Sequence, residues 1–187
     1  MKIDLPPLSY DVLLIDPPWQ FRLYSEKGEK KAPQAHYACI ATDELAKFPV
    51  GQLAAPNCLL MMWATWPMLP EAIDLLKAWG FTYKTGGAWS KRTKNGKPSF
   101  GPGYILRSST EPFLIGTIGR PKIHSHSVRG YIEAEAREHS RKPDEQYDML
   151  EKLCGPNARR CELFARTVRD GWSAWGNETT KFAEVAE

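Results

Sequence analysis

Little in this chain would staple, anchor or repeat it. Its four cysteines, Cys39, Cys58, Cys154 and Cys161, stand far apart with no Cys-x-x-Cys pair. That speaks against a zinc site and a disulfide framework, so a reduced cytoplasm suits it. No stretch approaches the roughly 18 continuous apolar residues of a membrane span. The segment from Met1 to Asp11 holds Lys2, Asp4 and two prolines where a signal peptide would be apolar. There is no repeat and no low-complexity tract. Charge of one sign is scarce too: 25 basic against 22 acidic residues leave a net +3, which permits nucleic-acid binding without demanding it. A chain of 187 residues is long enough to bury roughly 70% of its unfolded surface in one core. We expect a single domain over residues 1–178 and a polar tail over 179–187.

What is present gathers around Asp11-Val-Leu-Leu-Ile-Asp-Pro-Pro-Trp19. Val12 to Ile15 is a short aliphatic run rich in β-formers, which predicts a strand buried on both faces, as in a parallel sheet. Pro17 and Pro18 cannot donate to a ladder, and each pushes its predecessor away from helical dihedrals. Asp16 therefore stands at the carboxyl end of a buried strand, where open α/β sheets bind ligands. A carboxylate, fixed carbonyls and the Trp19 ring together suit a planar ring with an exocyclic amine. Acceptors take the two N–H hydrogens and the indole offers an apolar face. An Asp-Pro-Pro turn alone would be ordinary; the buried strand before it and the Trp after it favour a site.

Further along, Gln20 to Ala41 lacks periodicity and leaves directly from Asp16-Pro-Pro-Trp19, so it reads equally as a closing loop or a solvated one. It carries Tyr24, His36 and Tyr37. Thr42-Asp43-Glu44 predicts a helix start with Thr as cap. Asn57 to Ala64 predicts a second buried strand, after which Trp66 either walls a pocket or joins the core. Pro70 to Trp79 predicts an amphipathic helix stopped by Gly80, and Phe81 to Ser90 a third strand. Lys91 to Gly103 is the most basic loop, with Lys91, Arg92, Lys94 and Lys97 among glycines. It is a candidate nucleic-acid clamp, or else a solvated turn. Ser108 to Gly116 is a turn feeding an apolar strand. Arg120 to Arg129 holds His124 and His126, which lack a third metal ligand and read better as phosphate contacts. Tyr131 to Ala134 predicts another strand. Pro143 with Asp144 and Glu145 opens a helix, bearing Tyr147, Leu150 and Leu153 on one face and ending at Gly155; the cations before it form an anion site at its mouth.

Asp16-Pro17-Pro18-Trp19 resembles the catalytic motif of amino-methyltransferases that use S-adenosylmethionine. The Trp form is similar to the MT-A70 family of N6-adenine methyltransferases. Ser140-Arg-Lys-Pro-Asp-Glu-Gln-Tyr147 is similar to that family's Ser-x-Lys-Pro-Asp-Glu-x-Tyr, and Glu162-Leu-Phe-Ala-Arg166 to its Glu-Leu-Phe-Gly-Arg. Trp172 to Asn177 resembles its terminal Trp-x-x-x-Gly-Asn. The resemblance covers essentially the whole chain, with Ala165 where the family has Gly and Val168-Arg169 where it tends to have His-Asn.

It implies an α/β, Rossmann-like methyltransferase domain in circularly permuted order, with the catalytic motif ahead of the cofactor loop. By resemblance, Asp16, Pro17, Pro18 and Trp19 would be catalytic. Asp16, Lys142, Glu162, Phe164, Arg166 and Asn177 would bind S-adenosylmethionine, with Glu162 on its ribose hydroxyls. Tyr37, Trp66, Lys91, Arg92, Lys94, Lys97 and His126 are the candidate substrate contacts; no metal is needed. The implied reaction is methyl transfer to the N6 amine of adenine in DNA with little sequence specificity, in a bacterial or phage-infected cytoplasm, by a monomer or a homodimer. RNA adenine, cytosine and a silent binding subunit are the alternatives; Asp16 argues against cytosine, whose enzymes usually begin the motif with Ser.

Overall fold

The structure, a computed structural model, describes residues 3–20, 39–101, 103, 105–137 and 141–182. Among these, seven strands form one sheet: β1 (Tyr10–Ile15), β2 (Ala54–Trp63), β3 (Thr82–Arg92), β4 (Thr110–Ile118), β5 (Tyr131–Glu135), β6 (Arg160–Leu163) and β7 (Trp172–Trp175). Their order is β5-β3-β4-β2-β1-β6-β7. β1 is parallel to both neighbours, with Leu14 opposite Met61 of β2 and Glu162 of β6. The far half is mixed, since β4 runs antiparallel to β2 and β3.

The alternation of side chains sorts each strand between two helical layers. Leu13 and Ile15 pack with α1 (Thr42–Ala46), α2 (Val50–Leu53) and α3 (Leu69–Ala78). Val12 and Leu14 pack on the other face with Tyr147 and Leu150 of α4 (Glu145–Cys154). The four β1 side chains from Val12 to Ile15 are essentially inaccessible. Each contributes ~2 kcal/mol of hydrophobic stabilisation, which is why the four positions from Val12 to Ile15 are all aliphatic.

Several elements differ from expectation. Thr42 is the first helical residue and not a cap; Ala41 occupies the N-cap without a side-chain bond. β2 begins at Ala54, and the unpredicted α2 leads straight into it. Trp66–Met68 adds a turn of 3-10 helix before α3. Lys91 and Arg92 belong to β3 and not to a loop, because β5 pairs beside them as far as Arg92. In the segment after β7, Phe182 donates its N–H to the Arg166 carbonyl at 3.1 Å and its ring lies 5.0 Å from the Arg141 guanidinium. No described helix is long and apolar enough to cross a membrane.

The pairing directions decide where chemistry can gather. The carboxyl ends of β1, β2, β3, β5, β6 and β7 and the amino end of β4 all lie on one rim of the sheet. The amino terminus of α4 opens toward that rim, and its last turn reaches the other.

Candidate active site

Asp16 leaves β1 on the α4 side, continuing the alternation of Val12 and Leu14. The arm after it is pinned by the backbone. Trp19 donates its N–H to the Pro17 carbonyl at 2.8 Å, and Ile40 donates to the Pro18 carbonyl at 2.9 Å. The Trp19 ring is 4% exposed, and its indole N–H donates to the Trp63 carbonyl at 3.1 Å. The apolar face expected of this indole is therefore covered in the structure.

Beside Asp16 runs an alternating chain of charges. Lys142 Nζ lies 2.9 Å from Asp16 Oδ2 and 3.0 Å from Glu111 Oε1. Lys91 Nζ lies 2.7 Å from the other Glu111 oxygen. Two carboxylates and two ammonium groups thus sum to zero at the strand ends. Their aromatic neighbours are ordered as well: the Lys142 ammonium is 5.5 Å from the Trp63 ring, whose N–H donates to Gln146 Oε1 at 2.7 Å, and the Lys91 ammonium is 4.9 Å from the Trp89 ring. Burial alone would raise the Glu111 carboxyl, but Lys142 and Lys91 outweigh it and hold the group down at about 2. Burial would likewise strip the Lys142 proton, and Asp16 and Glu111 instead push its pKa above the ordinary range. Glu111 and Lys142 stay charged because each is compensated by its neighbours.

Glu162 is the second pole. It sits opposite Leu14 on the neighbouring strand, so its Cα lies about 8 Å from that of Asp16 by sheet geometry. It is 8% exposed and accepts the Tyr147 hydroxyl at 2.8 Å. Burial raises its carboxyl to about 7 despite that hydrogen bond. Burial and Glu162 push the Tyr147 hydroxyl above its usual range in turn.

The chain then turns sharply. Phe164 takes φ 58°, a left-handed conformation uncommon for a bulky residue and frequent at functional sites. Ala165 donates its N–H to the Trp175 carbonyl at 3.0 Å. A Cβ on Gly176 would lie 2.6 Å from the Ala165 carbonyl oxygen. The chain after β6 and the chain after β7 can lie this close because Gly176 has no side chain. Phe48, Phe164 and Trp175 form an aromatic triangle with centroids 5.5 to 6.1 Å apart. Arg166 pairs with Glu178 at 3.5 Å, and Asn177 is exposed next to Gly176.

The rim thus brings together Asp16, Pro17, Lys142, Glu162 and Phe164, with Arg166 and Asn177 after the adjoining strand ends. Trp66 is there as well, 48% exposed, its N–H shared between the Thr110 carbonyl and hydroxyl at 3.2 and 3.1 Å. Lys94 and Lys97 are exposed in a turn closed by Thr93 N–H to the Lys97 carbonyl at 2.8 Å. Lys91 and Arg92, expected in the basic loop, are engaged with Glu111 and, at 2.7 Å, Glu133. Tyr24, His36 and Tyr37 lie outside the described residues.

His126 is the correction. The nine residues of β4 carry the chain about 30 Å away from Glu111 before the 120–129 loop begins, so this loop belongs to the opposite rim. Three residues went unread as site members: Glu111, Gln146 and Tyr147. The signal for Glu111 was a carboxylate directly before the apolar run Pro112 to Ile115; Tyr147 had been absorbed as an ordinary apolar helix position.

A parallel β1 ending in Asp-Pro-Pro, a buried carboxylate on the next strand and a helix amino terminus between them define an α/β fold of the methyltransferase class. The chain belongs to the MT-A70 family, whose sequence profile matches residues 10–178. It is 31% identical over 193 aligned positions to the type II methyltransferase M.MunI of a Mycoplasma species, covering 93% of this chain and 79% of that one. It is also similar to the N(6)-adenine-specific methyltransferase METTL4 of Homo sapiens, at 29% identity over 95% of this chain and 39% of that protein. The N6-methyladenosine RNA methyltransferase MTA1 of Cryphonectria parasitica is 28% identical over 94% of this chain and 53% of its own. The chain therefore spans about two-fifths to four-fifths of these relatives, and it is a methyltransferase by family.

Proposed function

We propose that this chain transfers the methyl group of S-adenosylmethionine to the N6 amine of adenine in DNA. The observation that carries the reading is the half-buried Asp16–Lys142–Glu111 ladder at the end of β1, with the Cα of Asp16 about 8 Å from that of Glu162. The residues present fit the cofactor. Glu162 is a buried carboxylate whose raised pKa marks a need for more donors than Tyr147 supplies, and a vicinal diol offers two. The Phe48, Phe164 and Trp175 triangle provides an apolar wall, and Lys142 a cation for a carboxylate. S-adenosylmethionine, when bound, supplies a methyl group on a positively charged sulfur.

The protein's part is positional. Asp16 accepts one N6 hydrogen, and the lone pair that the Pro17 carbonyl has left after taking the Trp19 N–H accepts the other. Held this way, the nitrogen lone pair is drawn out of conjugation with the ring. S-adenosylmethionine held between Glu162, Lys142 and the aromatic wall would supply its methyl group to that lone pair. The surplus N6 proton leaves to water by way of Asp16. Lys142 fixes the Asp16 carboxylate, and Glu111 with Lys91 fixes Lys142, so orientation and preset dipoles supply most of the rate. Trp66 offers a stacking face for the base, Lys94 and Lys97 contact phosphate, and Arg166 and Asn177 flank the cofactor.

DNA is preferred because M.MunI is the relative, among those compared, that the chain spans most fully. RNA is the second reading, favoured by the MTA1 likeness. Labelled methyl transfer to plasmid DNA, a matched single strand and a matched RNA, with Asp16→Ala as control, tests both. Label in DNA that disappears in the variant supports the proposal, label only in RNA moves the substrate, and label in none refutes it.

A further inference from the structure

We infer that the tip at Ile105 and Leu106, between β3 and β4, is a wedge for duplex DNA that enters the base stack where the target adenine leaves it. The inference rests on the methyl-transfer reading and goes beyond it to how the base is reached. Ile105 and Leu106 are 95% and 82% exposed, two adjacent large aliphatic side chains thrust into water. The loop is shaped to hold them there. Its ends are joined by Gly101 N–H to the Ser108 carbonyl at 2.7 Å. The chain folds under the tip at Gly103, where a Cβ would meet the Leu106 carbonyl oxygen at 1.9 Å, so no other residue type fits.

The base of the loop is fastened to the site. The Ser108 hydroxyl donates to the Thr110 carbonyl at 2.8 Å, the Trp66 indole donates to the same carbonyl at 3.2 Å, and Glu111 follows Thr110 directly. Six residues separate Ile105 from Glu111, so the tip stands no more than about 20 Å from the charge ladder. The flanks carry the charge that DNA requires. Lys94 and Lys97 are exposed in the preceding turn, and the Arg107 guanidinium lies 4.3 Å from the Phe100 ring. No acidic residue occurs between Thr93 and Thr110. A target atom inside a duplex cannot be reached unless its base leaves the stack, and apolar wedges between base steps lower the cost of that opening. Cations beside an apolar tip on the rim that holds Asp16 supply both parts.

The test uses an alternating dA·dT duplex with one central 2-aminopurine, whose fluorescence rises on unstacking. The wild type, the double variant Ile105→Ser with Leu106→Ser, and the conservative Ile105→Val with Leu106→Met are compared. The wild type raises the signal, the serine variant loses most of the rise, and the conservative variant keeps it. Transfer to duplex DNA falls at least about tenfold in the serine variant while transfer to a single strand holds. No rise with the wild type, an unchanged rise in the serine variant, or equal losses on duplex and single strand would overturn the wedge. So would a smaller particle on gel filtration with fluorescence unchanged, since the tip would then be a protein contact. A tip-dependent rise without methyl transfer to any DNA supports the wedge and overturns the methyl-transfer reading instead.

Discussion

The two rims of the sheet carry similar inventories of charge and use them differently. The rim bearing Asp16 holds two carboxylates and two ammonium groups half-buried, each within 3.0 Å of a partner. The opposite rim carries Asp11 and Arg159, an open bidentate pair at 2.9 Å, and a groove of about 690 Å³ lined by His124, Lys152, Arg160 and Asp170 among others. Helix α4 separates them electrostatically: its amino terminus faces the first rim and its carboxyl terminus the second, where the Arg160 guanidinium donates to the Gly155 carbonyl. Charge at a surface keeps a protein soluble. Charge that is half-buried, balanced and placed at strand ends sets out a reaction.

Breaking the first rim has the largest effects. Asp16→Ala lowers labelled methyl transfer by about 10³-fold, the scale of losing a group aimed at the reacting atom. Lys142→Met strands Asp16, leaves Glu111 with Lys91 alone, and costs ~3–5 kcal/mol in denaturant unfolding. Its counterpart Arg160→Met costs ~1–3 kcal/mol, because it leaves a carbonyl and not a charge without its donor. Equal costs at the two rims would erase the contrast.

Acid reads the ladder separately. The Glu111 carboxyl is held at about 2 against an ordinary 4.5, a depressed value, so its stabilisation is complete above about pH 4.5. That stabilisation, ~3 kcal/mol, disappears as pH falls toward 2, and Glu111→Gln removes this part of the acid transition. Glu162 behaves in the opposite sense. Held at about 7, its carboxyl keeps a proton longer in the folded chain than in the unfolded one. It stabilises the free protein most below about pH 4.5, and that contribution fades as pH rises through 7. A cofactor diol needs the carboxylate, so S-adenosylmethionine affinity by calorimetry rises with pH up to about 7, approaching tenfold per unit, and Glu162→Gln flattens the slope. The smallest effect belongs to the second rim: His126→Ala leaves methyl transfer within about twofold, as expected of a surface change far from the site.

Local pattern carried much of this into the sequence. The β1 run, the helix opened by Pro143 and the place of Asp16 at a strand end were legible from strand and cap chemistry, while Lys142 and Glu162 were singled out by the family resemblance. What stayed hidden depended on pairing direction. Nothing near His126 says that β4 runs antiparallel, and that single fact moves the 120–129 loop to the other end of the molecule. Glu111 was obscured for the same reason, since its partner Lys142 is 31 residues away and meets it only through the sheet. Trp19 looked like a lid because a Trp after Pro-Pro is exposed in an isolated peptide; the contact with the Trp63 carbonyl belongs to the fold.

The pairing of β1 with β6 also bears on how the chain comes to be built. Asp16 meets Lys142 across 126 residues, and Asp11 meets Arg159 across 148. During synthesis the central strand therefore waits, with one edge bare and its Val-Leu-Leu-Ile side chains unshielded, until almost the last strand has left the ribosome. Closure of that late parallel pair is a slow, non-local event. Premature termination just before Arg160 would release a sticky fragment that keeps Asp16 and Lys142 but lacks Glu162 and the strand that closes the bare edge of β1.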